Sequence, residues 1–148
     1  MAVNNYEFIE HTADIGIIVK GKDLKDLFKN AALAMFEIIA EKKTEVKNRK
    51  SPHEAEEVRK YVVKQEADNL EELFINWLNE LLSLSATKEL IFSDFQISKL
   101  DKNKLEANAI GSCMKNYRMN TEIKAATYHG LEIKQNCSGC EAKIIFDV

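Results

Sequence analysis

The sequence is poor in the residues that most catalytic motifs need. Its five glycines are spread along the chain, and none of them belongs to a Gly-rich phosphate loop. There is no Gly-x-Ser-x-Gly turn, and none of the three cysteines lies in a recognisable nucleophile signature. These absences argue against a catalytic triad and against nucleotide hydrolysis by this chain alone.

Long apolar runs and targeting segments are lacking as well. No window approaches the roughly 18 uninterrupted apolar residues of a membrane span. The first residues have neither the basic start nor the apolar centre of a secretory signal. An odd number of cysteines fits a reducing compartment better than a disulfide framework. We therefore expect a cytoplasmic protein with no membrane partner.

Positive charge is not in excess. The formal net charge is -3 and the isoelectric point is near 5.7. Direct, non-specific binding to a polyanion needs clustered basic charge, so this balance argues against it. If RNA matters to this protein, we expect a partner to hold it.

What the sequence does contain is two strong helical patterns. Apolar side chains recur at helical spacing from about residue 24 to 40, after Asp23 as a helix N-cap. A second stripe follows Asn69 and is expected to end between Ser83 and Ser85. The densely charged residues 41–60 are interpreted as a solvated loop, not as a boundary between domains.

Strand patterns account for most of the remaining chain. Roughly six or seven of them occur, mostly joined by short hairpins such as the turn at Asp101 to Lys104. The sequence therefore predicts a single α+β domain over residues 1–148. Its architecture is expected to be two-layered, with two amphipathic helices packed on one face of a largely antiparallel, mixed sheet.

Two aspartates flank buried strand patterns at opposite ends of the chain. Asp14 comes just before the apolar run Ile15 to Val19, and Asp147 ends the pattern that begins at Ala142. Both strands are expected to be buried, so they can lie side by side. A carboxylate near apolar core is costly unless it is paired or bound to a cation. The alternative is that Asp14 caps a turn and Asp147 is exposed at a frayed end.

If the chain ends at Val148, its terminal carboxylate adds two more hard oxygens near Asp147. Three converging carboxylates would suit calcium, magnesium or manganese, which prefer oxygen ligands.

A Cys-x-x-Cys motif, Cys137-Ser138-Gly139-Cys140, offers a different chemistry. A closed zinc site needs four ligands, and here only Cys113, His11 and His129 could supply the others. A redox pair needs its first cysteine at a helix N-terminus, whereas this pair lies between two strand patterns. A hairpin turn built on Ser-Gly is the favoured interpretation, with a metal or redox module as the alternative.

Four segments, in this order, resemble the archease family over essentially the whole chain. They are Phe8-Ile9-Glu10-His11-Thr12-Ala13-Asp14-Ile15-Gly16, Trp77-Leu78-Asn79-Glu80-Leu81-Leu82, Ile123-Lys124-Ala125-Ala126-Thr127-Tyr128-His129-Gly130-Leu131 and the terminal Asp147-Val148.

The resemblance implies an accessory protein, not an enzyme. Members of that family are taken to activate the RtcB-type, GTP-dependent RNA ligase of tRNA splicing, by promoting its guanylylation and multiple turnover. It also implies a divalent-cation site, commonly taken to hold calcium, with Asp14, Asp147 and the terminal carboxylate of Val148 as ligands. His11, Lys124 and His129 belong to the matching segments and are expected to have supporting roles. A chaperone-like protein-binding module without a metal role is a further alternative.

Overall fold

The computed structural model describes residues 5–9, 14–43 and 57–148. It contains two α-helices, nine strands and one short 3-10 turn in that part of the chain. The helices are α1 (Leu24–Ile39) and α2 (Leu70–Lys88), and the 3-10 turn is Met114–Asn116. The strands are β1 (Tyr6–Ile9), β2 (Asp14–Gly21), β3 (Ala40–Lys42), β4 (Val58–Glu66), β5 (Leu90–Leu100), β6 (Lys104–Cys113), β7 (Tyr117–Met119), β8 (Ala125–Asn136) and β9 (Gly139–Asp147).

The strands of the described residues form three sheets. The first has the order β1-β2-β9-β8, the second β4-β6-β5, and the third is the short pair β3-β7. Every pairing among them is antiparallel, so the predicted antiparallel sheet is confirmed and its mixed component is not found in the described part of the chain. Each helix contacts strands of both larger sheets. The α+β class is therefore confirmed, with the predicted single sheet divided into separate ladders.

Both helices begin where the sequence predicts. The Asp23 side chain accepts a hydrogen bond from the Asp26 N–H, and Asn69 does the same for the Glu72 N–H. These contacts satisfy backbone donors that the first turn of a helix leaves without partners. The predicted end of α2 is wrong, because the helix continues to Lys88 and stops at Glu89, whose φ of 56° is left-handed. Such a conformation ends a helix by turning its last N–H groups back on the carbonyls.

The core lies between the helices and the two larger sheets. Trp77 of α2 is fully buried, and its indole N–H donates to the Phe28 carbonyl of α1 at 3.0 Å. Its ring packs edge-on against Phe95 of β5, with 5.7 Å between the ring centroids. The predicted stripes of both helices are thus core. No helix in the described ranges is long and apolar enough to cross a membrane.

Several strand predictions need correction in detail. The ladder between β5 and β6 is irregular near Ser93, where its register shifts between Phe92 and Asp94. The charged residues 41–60 are not all loop, since β3 includes residues 41–42 and β4 starts at Val58. The rest of that prediction, with His53, lies outside the described residues.

Candidate metal centre

The candidate site lies where β2, β9 and β8 meet in the first sheet. Asp14 is the first residue of β2 and Asp147 the last of β9, and the two are direct cross-strand partners. On the other side of β9, Asp147 is opposite Ala125, the first residue of β8. The predicted neighbourhood of the two chain ends is therefore confirmed, down to the two aspartates.

Strand alternation puts both carboxylates on the same face of the sheet. Side chains of successive residues point to opposite faces. Ile17, Ile144 and Phe146, on the helix-facing side, are fully buried. Asp14 and Asp147 occupy the opposite face, where Asp14 is half-buried and Asp147 exposed.

Direct cross-strand partners have Cβ atoms about 4.5–5.5 Å apart, a distance at which like charges destabilise a sheet. A cation between the two carboxylates would remove that penalty. The register therefore places two negatively charged side chains next to each other on one face of the sheet.

The end of β9 is held in place. The carbonyl of Asp147 accepts a hydrogen bond from the Lys124 N–H at 2.7 Å. Val148 is half-buried and packs against the hydrophobic core. These contacts argue against a frayed C-terminal segment. Asp14 is the first residue of β2, and the residues just before it lie outside the described part of the chain.

The other predicted residues, Lys124, His129 and His11, differ in their positions relative to the two aspartates. Lys124 contributes its backbone N–H to Asp147, and its side chain is exposed. His129 is exposed and lies four residues beyond Ala125, where the β8–β9 register breaks between Thr127 and Glu132. His11 lies outside the described residues. The structure thus brings together Asp14, Asp147, Val148 and the Lys124 backbone.

The oxygen donors of this site fit a hard cation better than zinc. In the described part of the chain, no group of three or more His, Cys, Asp and Glu side chains is placed to hold a metal ion. Asp14 and Asp147 would supply two carboxylates, and Val148 a third if it is the last residue. Calcium, magnesium and manganese accept such oxygen sets and complete them with water.

A side chain that the sequence did not mark as functional holds the neighbouring strand. Asn79 of α2 accepts a hydrogen bond from the Ala126 N–H at 2.8 Å and donates one to the Ala126 carbonyl at 3.1 Å. The next residue, Thr127, donates from its hydroxyl to the Ile145 carbonyl at 2.8 Å. Asn79 is a polar residue among the apolar side chains of α2, and its contact with β8 is what shows this role.

The Cys-x-x-Cys motif forms the tight turn between β8 and β9, as predicted. The thiols of Cys137 and Cys140 are free, and Gly139 has a φ of 141°, which favours glycine. A Cβ at Gly139 would come within 2.7 Å of the Gly21 carbonyl oxygen. Burial, and then the charge of Asp23, raises the pKa of the Cys140 thiol. A raised pKa disfavours the thiolate that redox and metal chemistry need.

A cavity of about 470 Å³ lies at the C-terminal ends of α1 and α2. It is lined by apolar side chains that include Leu82, Met114 and Met119, together with Glu89 and Glu122. Neither aspartate of the candidate site lines it.

Comparison with known proteins shows which family this chain matches. The archease protein family (MTH1598/TM1083) matches residues 6–148. The archease of Methanosarcina mazei is 34% identical over 149 residues, covering 97% of this chain and 95% of that protein. The archease of Pyrococcus abyssi is 37% identical over 138 residues, covering 90% of each.

Solved structures agree with these sequence matches. The solution structure of protein 1598 from Methanobacterium thermoautotrophicum superposes with a TM-score of 0.70 and 32% identity, over 99% of this chain and 100% of that one. A Thermotoga maritima crystal structure, described as an archease and possible chaperone, gives a TM-score of 0.63 at 22% identity, over 95% of this chain and 94% of that one. The second likeness shows the fold.

Proposed function

This chain belongs to the archease family, and from that membership we propose that it activates an RtcB-type RNA ligase of tRNA splicing. In this role it is an accessory protein of the cytoplasm and does not itself catalyse ligation. It promotes guanylylation of the ligase and so restores its turnover. It meets tRNA only through the ligase, which agrees with its net charge of -3.

The observation that supports a metal role is the direct pairing of Asp14 with Asp147 across β2 and β9. Two like charges on neighbouring positions of one sheet face repel each other, and a cation close to both would reduce that repulsion. Both carboxylates belong to strand residues, and the backbone of Asp147 is held by a hydrogen bond from the Lys124 N–H to its carbonyl at 2.7 Å. The site is therefore suited to a divalent cation, with calcium first and magnesium or manganese as the other candidates.

Nucleotidyl transfer depends mainly on positioning and on neutralising phosphate charge. A divalent cation supplies that neutralisation when it is bound. Asp14 and Asp147 would hold such an ion, since both lie on the face of the sheet opposite the buried side chains. Lys124 is exposed beside them and can approach a partner's phosphates.

Conservative replacement of the two carboxylates tests the proposal. Asp14→Asn and Asp147→Asn keep the side-chain shape and remove the charge. We expect each to reduce ligase turnover, measured with excess RNA and GTP, by about tenfold or more, which is the scale of disturbing a metal site. We expect both variants to keep the fold, as checked by circular dichroism.

Asp68→Asn is the matched control. Asp68 is an exposed aspartate before α2, and its replacement should leave activation unchanged. Full activation of the ligase by both site variants would contradict a role for the carboxylates. If the wild type activates the ligase without measurable Mn²⁺ binding in equilibrium dialysis, the proposed metal site is contradicted and the proposed ligase role is not.

A chaperone-like role is the second candidate function. The Thermotoga maritima relative is described as a possible chaperone. The large exposed apolar residues of the described chain are spread over strands β1, β4, β7 and β8, and single exposed residues are ordinary. They are Phe8, Val58, Val62, Met119 and Tyr128. A chaperone-like module would tolerate loss of Asp14 and Asp147, so the same variants distinguish the two functions.

A further inference from the structure

We infer that Asn79 is a positioning residue for the aspartate pair, acting through the edge strand β8; this inference rests on the proposed function. β8 is the outermost strand of its sheet among the described residues, with β9 on its inner side. An edge strand has backbone N–H and C=O groups without strand partners. Ala126 directs both of its backbone polar groups to the side chain of Asn79, at 2.8 and 3.1 Å.

The Asn79 amide thus takes the place of a neighbouring strand. One donor and one acceptor of a planar amide meet the N–H and C=O of a single residue, as two strands do in an antiparallel ladder. Ala126 is only 4% exposed, so water would replace these bonds poorly. The contact joins helix α2 to the beginning of β8, where the chain arrives from the 3-10 turn and β7.

The residues held in this way adjoin the candidate site. Ala125, next to the clamped residue, is the cross-strand partner of Asp147. Lys124, one residue earlier, donates its N–H to the Asp147 carbonyl. Without Asn79, the first residues of β8 would be free to separate from β9, and Asp147 would lose the support on its outer side. Asp14, on the inner side, would then face a carboxylate of less defined position.

Asn79→Leu is the test, since leucine has a similar size and cannot form either hydrogen bond. We expect the Ala126 and Lys124 amides to exchange hydrogen about tenfold faster or more, because local opening of the edge becomes easier. We expect Mn²⁺ affinity, measured by equilibrium dialysis, to fall about tenfold, the lower end of the range for residues that orient metal ligands. The matched control is Asn76→Leu, the same change at a half-buried asparagine one turn earlier on α2.

Ligase activation provides a readout that general damage to the fold would not reproduce. The Asn79→Leu variant should need more Mn²⁺ for half-maximal activation and should reach the wild-type maximum when the ion is raised about tenfold, in proportion to the lost affinity. A deficit that persists at saturating ion would assign Asn79 a merely structural role and overturn the inference. Unchanged exchange at Ala126 would overturn it as well.

Failure of the proposed function would give other results than failure of the inference about Asn79. If the wild type binds no Mn²⁺, or does not activate the ligase, the proposed site or activity is wrong whatever Asn79 does. The exchange measurement then decides alone whether Asn79 holds β8: unchanged exchange at Ala126 contradicts the clamp, and faster exchange at Ala126 and Lys124 supports it.

Discussion

At the scale of single residues, burial and immediate neighbours decide what each polar group can do. Asp14 and Asp147 are notable because strand pairing makes them direct partners. Cys137 and Cys140 share a turn, yet Cys137 is exposed while Cys140 is half-buried beside Asp23. Their sequence spacing is the same as in metal and redox motifs, but a β-turn gives them neither a helix N-terminus nor further ligands among the described residues.

The cysteine pair gives a residue-scale prediction. Because the pKa of Cys140 is raised, iodoacetamide should alkylate Cys137 several-fold faster than Cys140 near neutral pH, as measured by mass spectrometry. Asp23→Asn keeps the helix cap and removes the negative charge, so the Cys140 pKa should fall and its alkylation should quicken, with no change at Cys137. Equal rates in the wild type would contradict this.

Replacing the same two cysteines distinguishes ligase activation from a metal or redox function. Replacing both cysteines by serine should leave ligase activation at the wild-type level, because the turn is shaped by Gly139 and not by the thiols. A metal or redox module would lose its function in that double variant. The matched control is Cys113→Ser, which removes a half-buried thiol elsewhere in the chain.

At the scale of elements, side chains that satisfy backbone groups set where helices and strands begin and end. Asp23 and Asn69 start the helices, and the Asp101 carboxylate closes the β5–β6 hairpin by accepting from the Asn103 and Lys104 N–H groups at 2.8 and 2.9 Å. These positions were predictable, because each depends on residues within three positions of one another. The continuation of α2 to Lys88 was not predicted, since the apolar stripe fades before the helix ends.

The Asp101 turn gives an element-scale prediction. Hydrogen bonds from the Asn103 and Lys104 backbone hold the pKa of Asp101 below its usual value. A carboxyl whose pKa is lower in the folded protein stabilises it above the unfolded pKa, near 3.9, and loses that contribution as the pH falls through the folded value. Asp101→Ala should therefore lower the urea midpoint at pH 7.

The difference between wild type and Asp101→Ala should shrink as the pH is lowered through that window. Asp101→Asn retains an oxygen acceptor but does not ionise, so its stability relative to Asp101→Ala should not depend on pH over the same range. A wild-type advantage that stays constant down to strongly acidic pH would show that the charge of Asp101 is not involved.

At the scale of the whole molecule, the last strand is central and not peripheral. β9 lies between β2 and β8, and Ile144, Ile145 and Phe146 are buried. The end of the chain therefore belongs both to the core and to the candidate site. Removing a few C-terminal residues should therefore prevent folding, whereas adding a few should leave the fold intact and affect the candidate site.

Deleting residues 142–148 should prevent folding. Loss of three large buried side chains costs about 2–5 kcal/mol each, which together is comparable to a typical stability of about 5–15 kcal/mol. Appending Gly-Ser-Gly-Ser after Val148 should leave the circular dichroism spectrum and melting temperature unchanged. If Val148 is the last residue, the tag moves the terminal carboxylate away from Asp147, and we expect ligase activation to fall strongly. The same tag placed before Met1 is the control. Full activation by the C-terminally extended protein would remove Val148 from the ligand set.

The sequence by itself determined where the helices begin, their N-caps, the hairpin turns and the family, because these depend on local spacing and short motifs. It also indicated that Asp14 and Asp147 flank buried strands. Only the tertiary structure decided that these two aspartates are direct cross-strand partners, that Asn79 of α2 holds β8, and that the strands divide into separate sheets. The physical reason is that register and helix-to-edge contacts join residues 47 or more positions apart. Their partners are chosen by packing of the whole core, which no local pattern contains.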